Sequence, residues 1–219
     1  MQFSLILIWL AAGPAASQPQ APGKRDLATI TGVLENVESN IEGLYKVASS
    51  GTTDPAPLLK ASDSLIKSIK NGKIEVDRTE NISFIDTVHL IKPVHDLSTI
   101  SAKLVDSMGT LKSTIEELKL CDVVRIQVSN INNGSTALIK SVNSKVPEAA
   151  LDISNELAKG ITDALDKSQS EFSSENCVNG RNGTDPNAES GSSATATVSS
   201  AAALISTMAF MFLASFTVL

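Results

Sequence analysis

Little in this sequence is suited to catalysis. Histidine and cysteine occur twice each, and tryptophan and tyrosine once. There is no G-x-S-x-G, no H-E-x-x-H, no glycine-rich phosphate loop and no C-x-x-C. His89 and His95 are six apart, so on a helix they point about 120° from each other. No paired carboxylate cluster accompanies them, and no metal site is expected. Ser64-Leu-Ile-Lys67 matches S-x-x-K only as a tetrapeptide, and Asp86, one turn from His89, reads as a surface ion-pair partner. Neither an enzyme nor a bound cofactor is expected.

Aromatic side chains make up only 4% of the chain, and between residues 26 and 190 they are Tyr45, Phe84 and Phe172 alone. A lectin-like aromatic platform is therefore unsupported. Basic residues number 18 against 24 acidic ones, a net charge of −6, with no basic stripe on any segment. That balance excludes nucleic acid as a partner, because such affinity comes largely from Lys and Arg neutralising phosphates. No segment alternates apolar and polar residues with period 2, so a sheet is not expected.

What is present is helical periodicity. Apolar residues at Leu27, Ile30, Leu34, Val37, Ile41, Leu44 and Ala48 recur at 3–4 spacing, with Asp26 placed as an N-cap and Gly51 beyond the end. Asp54-Pro55 opens a second helix, with Leu58, Leu65, Ile66 and Ile69 on its apolar face and Asn71-Gly72 as a stop. A third runs over about 81–108, kinked at Pro93, its stripe carried on through Leu111, Ile115 and Leu118. A fourth covers roughly 120–145, and a fifth restarts after Val146-Pro147 and reaches Phe172. The expected fold is all-α, an antiparallel up-and-down bundle of about five amphipathic helices. Its core is either solid or hollow, and periodicity alone favours solid packing.

Both ends are uncharged. Residues 1–17 read as a secretory signal peptide, with a short apolar run and small residues at Ala15-Ala16-Ser17. Residues 18–25 form a candidate propeptide ending at the dibasic pair Lys24-Arg25, with equal standing as plain surface charges. The bundle is assigned to 26–172 and a Ser/Asn/Gly-rich stalk to 173–190. Residues 191–219 hold a polar spacer and the apolar end "AAALISTMAFMFLASFTVL", the arrangement of a removable glycosylphosphatidylinositol (GPI) signal, with Ser190 as the favoured attachment residue and Gly191 and Ser192 as close alternatives. Asn81, Asn133 and Asn182 each begin an N-x-S/T sequon. An even cysteine count in a secreted chain reads as one disulfide, Cys121 with Cys177. If the fifth helix returns antiparallel to the fourth, its end lies beside Cys121.

The stretch "RDLATITGVLENVESNIEGLYKV" resembles the opening of the fungal hydrophobic surface binding protein A family, which includes antigenic cell wall galactomannoproteins. The stretch "LIKSVNSKVPEAALDISNELAKGITDALDKSQSEF" resembles its last helices. The similarity covers about residues 25–172 and lies in pattern and order. It implies a helical domain that adsorbs to hydrophobic surfaces or holds a fatty acid in a central apolar tunnel. It also implies a secreted protein whose partners are that ligand or surface and, through a GPI remnant, wall glycan or the outer face of the membrane. The inward stripes of the first, third and fifth helices give the candidate lining: Leu34, Val37, Ile41, Ile85, Val88, Leu157 and Ile161. The rival reading is a purely structural or adhesive wall glycoprotein without a ligand.

Overall fold

The computed structural model describes residues 22–180. It contains α1 (Pro22–Ser49), α2 (Pro55–Asp77), α3 (Phe84–His89), α4 (Ile91–Thr110), α5 (Lys112–Glu117), α6 (Cys121–Asn143) and α7 (Leu151–Glu171), with a 3-10 turn at Glu148–Ala150 before α7. The described residues include no strand.

Local chemistry accounts for most of these boundaries. Asp54 caps α2 by accepting the Ala56 N–H at 3.0 Å, and Pro55 takes the first helical position, where its missing N–H removes no intrahelical bond. Gly51 makes the preceding turn at φ +66°. Three boundaries differ from the expected ones. α1 starts at Pro22 rather than after an Asp26 cap, so Lys24-Arg25 lies in its first turns. α2 runs through Asn71-Gly72 to Asp77, because Gly72 is a packing position and not a stop. A Cβ on Gly72 would lie 2.5 Å from Val33 Cγ1, so only glycine permits this approach of α1 and α2.

The third expected helix is broken into α3, α4 and α5. The first break falls at Leu90, leaving Pro93 in the first turn of α4, where it removes no hydrogen bond. A capping box starts α3: the Ser83 hydroxyl accepts the Asp86 N–H, and the Asp86 carboxylate accepts the Ser83 N–H. The Ser83 hydroxyl also donates to the same carboxylate at 2.7 Å, and this bond first, then that from the Ser83 N–H, holds the Asp86 carboxyl below the usual carboxylate range. Asp86 is thus a helix cap, and no salt bridge to His89 forms.

The helices run alternately up and down along the chain, but their spatial order differs from their order in sequence. α1 packs on α2 and α4, α2 on α6, α6 on α7, and α7 on α4, which closes a ring in the order α1–α2–α6–α7–α4. Several neighbours in this ring are parallel. Asp77 accepts the Ser141 hydroxyl at 2.5 Å while Gln127 donates to Asp63 at 3.1 Å, so α2 and α6 run the same way. Lys167 with Asp106 at 2.7 Å, and Gly160 against Ser98, give the same direction for α7 and α4. A Cβ on Gly160 would lie 2.1 Å from Ser98 Oγ, so this crossing too is close.

The main core joins Ile30, Val33, Leu34 and Val37 of α1 to Leu65, Ile69 and Val76 of α2, Leu97 and Ile100 of α4, and Leu138 and Val142 of α6. A second cluster of Ala48, Leu111, Ile115, Cys121, Phe172 and Cys177 closes one end, where the α5 segment carries the chain from α4 to α6. Beyond α7 the segment 173–180 folds back on the bundle. Val178 and Gly180 donate to the side chain and carbonyl of Glu116 at 3.2 and 2.7 Å.

Candidate functional site

A ring of five helices cannot fill its own centre. Axes about 8–10 Å apart lie roughly 7–8.5 Å from the middle of such a ring. A helix with its side chains reaches only about 5–6 Å from its axis. Here the space left is a cavity of about 180 Å³. All five long helices contribute to its wall, among them Leu34, Val37 and Ile41 of α1, Leu65 and Ile69 of α2, Leu97 and Val105 of α4, Val128 and Ile131 of α6, and Ile161 and Ala164 of α7. Among the described residues, no charged or aromatic side chain lines it. Its polar groups are Ser62, Ser101, Gln127, Ser135, Asn143, Ser154 and Ser168. Gln127 Nε2 is turned to the Asp63 carboxylate, which leaves its Oε1 buried without a hydrogen-bond partner.

The wall is not uniform. The α1 residues are nearly sealed: Leu34, Val37, Ile41 and Leu44 are 5–8% exposed. In contrast, α6 is buried only at Cys121, Leu138, Ser141 and Val142, and α7 only at Ala164. Between those points the lining side chains of both helices are half-buried, apart from the exposed Val123.

Of the candidate lining residues, Leu34, Val37, Ile41 and Ile161 face the cavity. Ile85 and Val88 do not: they sit on short α3 at the bundle end, 70% and 47% exposed. A lining position for them requires one continuous third helix, which the break at Leu90 removes. Leu157 is half-buried on α7 but outside the lining, where Ser154, Ala158, Ile161 and Leu165 form the inward stripe. Periodicity missed α2 and α6, which supply much of the wall. Their stripes are as apolar as that of α1, but nothing in one helix's pattern states which neighbours it meets.

Cys121 and Cys177 form a disulfide, with Cα atoms 5.6 Å apart. It is the centre of a clasp between α6 and the segment after α7. Asn179 Oδ1 accepts the Cys121 N–H at 3.0 Å, and Arg125 donates to the carbonyls of Phe172 and Cys177 at 3.1 and 3.3 Å. Glu116 lies within 4.8 Å of both sulfurs, but these are bonded to each other and offer no thiolate to a metal.

Asn81 and Asn133 are exposed, the latter on an unbroken α6, while Asn182 and Ser190 lie outside the described residues. Ser64 and Lys67 are exposed on α2, and His89 and His95 are exposed on α3 and α4, away from the cavity. No described helix is long and apolar enough to cross a membrane.

Fold and cavity together define an all-helical domain surrounding an apolar central space. The chain belongs to the hydrophobic surface binding protein A family, whose profile matches residues 27–144. It is similar to Cell wall mannoprotein 1 of Aspergillus fumigatus, 27% identical over 168 residues that take in 76% of this chain and 58% of that protein. The chain therefore spans less than two thirds of that relative. Among solved structures it resembles ligand binding domain 1 of the Penicillium marneffei MP1 protein, complexed with arachidonic acids. The TM-score is 0.65 at 25% identity, covering 68% of this chain and 99% of that domain. AFMP4P in complex with palmitic acid shares the fold, with a TM-score of 0.62 at 17% identity over 67% of this chain and 99% of that one. These relatives are named as mannoproteins and as ligand-binding domains, not as enzymes.

Proposed function

We propose that this protein is a secreted cell wall mannoprotein whose helical ring holds a long-chain fatty acid. The observation that carries this reading is the wall of the central cavity: aliphatic on all sides, without charge and without an aromatic ring. Such a wall suits a flexible acyl chain better than a flat ring system. Each methylene removed from water contributes about 0.8 kcal/mol, so a single long chain supplies the driving force by itself. With no Lys, Arg or His among the described lining residues, serine hydroxyls and the amides of Gln127 and Asn143 are the groups available to meet a head group. The complex of the MP1 domain with arachidonic acids supports the same ligand class.

The finer address rests on the sequence: a cleaved leader over residues 1–17, a GPI attachment at Ser190, and glycans on exposed Asn81 and Asn133. Organic extraction and mass spectrometry of the protein secreted by its own host test the ligand. Stoichiometric fatty acid is expected. No co-purifying lipid, together with no uptake of added fatty acid, would leave the adhesive reading instead. Release from cells by a phosphoinositide-specific phospholipase tests the anchor.

A further inference from the structure

The cavity's wall is most closed on the α1 side and least buried on the α6–α7 side, where five of its seven polar groups lie. Gln127, Ser135 and Asn143 lie on α6, and Ser154 and Ser168 on α7; α2 and α4 add one serine each, Ser62 and Ser101, and α1 contributes no polar group. The seam between α6 and α7 is tied at both ends. At one end the 3-10 turn joins the helices, and Asn143 accepts the Ser154 hydroxyl at 2.6 Å while donating to Asn155 at 2.8 Å. At the other end is the Cys121–Cys177 clasp. Between the ties most lining side chains are half-buried, with Leu138, Val142 and Ala164 buried and Val123 exposed, in contrast to the uniformly buried α1 lining across the cavity.

We infer that the α6–α7 seam is the portal of the cavity: the acyl chain passes between these helices, its polar end rests among the seam's amide and hydroxyl groups, and the disulfide limits how far the seam opens. This rests on the fatty-acid reading above and adds the route and orientation of the ligand. A slit along the helices lets a chain enter sideways, with the apolar part leading and the head group left where water still reaches. The alternative route is the bundle end near Pro55, Leu58 and Leu120, which the cavity also touches.

The test is stopped-flow uptake and release of cis-parinaric acid by the full-length protein. Ala158→Trp and Ser135→Trp narrow the seam from either helix, and Thr53→Trp, beside Pro55, Leu58 and Leu120, narrows the bundle end. Circular dichroism checks that each retains its helix content. Both seam variants are expected to slow uptake by about tenfold or more, with Thr53→Trp unchanged. Reduction of the disulfide in the unaltered chain is expected to speed release by about tenfold. Slowing by Thr53→Trp alone, or seam variants and reduced protein that exchange at the unaltered rate, would overturn the portal while leaving the fatty-acid reading intact. Failure of the unaltered protein to take up the probe at all would overturn both.

Discussion

If the ring depends on helices meeting at glycine, then filling one such contact should cost more than helix propensity returns. Gly72→Ala is the sharpest case. Alanine in place of glycine inside a helix gains about 1 kcal/mol. Here the new Cβ would stand 2.5 Å from Val33 Cγ1, on a residue that is itself only 4% exposed, so α1 and α2 must separate by roughly 1 Å to restore ordinary contact. Overpacking of this kind costs about 1–3 kcal/mol. The net expectation is a destabilisation of about 1 kcal/mol. Val33→Ala alone removes two buried methyl groups and should cost about 2 kcal/mol from lost transfer energy and the void left behind. In the double variant the added methyl occupies part of that void. The two changes should therefore couple favourably, by about 1 kcal/mol or more beyond additivity. Urea unfolding followed by far-ultraviolet circular dichroism measures all four corners of the cycle. A Gly72→Ala protein that is more stable by its full propensity gain, with additive single effects, would refute the close α1–α2 contact.

Other perturbations test separate parts of the fold. Replacing both Cys121 and Cys177 by serine opens a loop with a sequence separation of 56. It should cost about 4 kcal/mol in the chain-entropy view, read as a lower urea midpoint, and a loss below about 1 kcal/mol would contradict it. Asp77 is held below the usual carboxylate range by Lys73 first and by the Ser141 hydroxyl next. Its contribution is present above the ordinary value near about pH 4 and disappears as pH falls through the lowered folded value. The unaltered protein should consequently lose stability more steeply on acidification than Asp77→Asn, and parallel pH profiles would argue against the tie between α2 and α6. Asp54→Ala should destabilise by about 1 kcal/mol through loss of the α2 cap, whereas Asp54→Asn should be nearly neutral in the same urea assay.

The helices were legible in the sequence because their causes are local. The unbroken stripe from Leu27 to Ala48 and the Asp54-Pro55 start each follow from spacing and capping that a short window contains. Errors arose where a residue has two uses. Gly72 resembles a stop but serves as a contact, and Pro93 resembles a kink inside a helix but stands in the first turn of one. The cavity was harder to see, because it comes from ring order. The α1 stripe looks the same whether it faces one partner or an empty centre, and only the pairing of α2 with α6 and of α4 with α7 leaves that centre unfilled. For the same reason Ile85 and Val88, correctly spaced for an inward face, ended on an exposed cap.

The central claim is that the ring binds an acyl chain by burying it. Calorimetric titration with saturated fatty acids of increasing length addresses this directly. Along α6 the lining runs from Leu120 to Asn143, and at about 1.5 Å per residue that wall is some 35 Å long, beyond the reach of an extended long-chain acid. Affinity should then tighten steadily with length, by up to about fourfold per added methylene. Affinity that ignores chain length, or no binding at any length, would contradict the account.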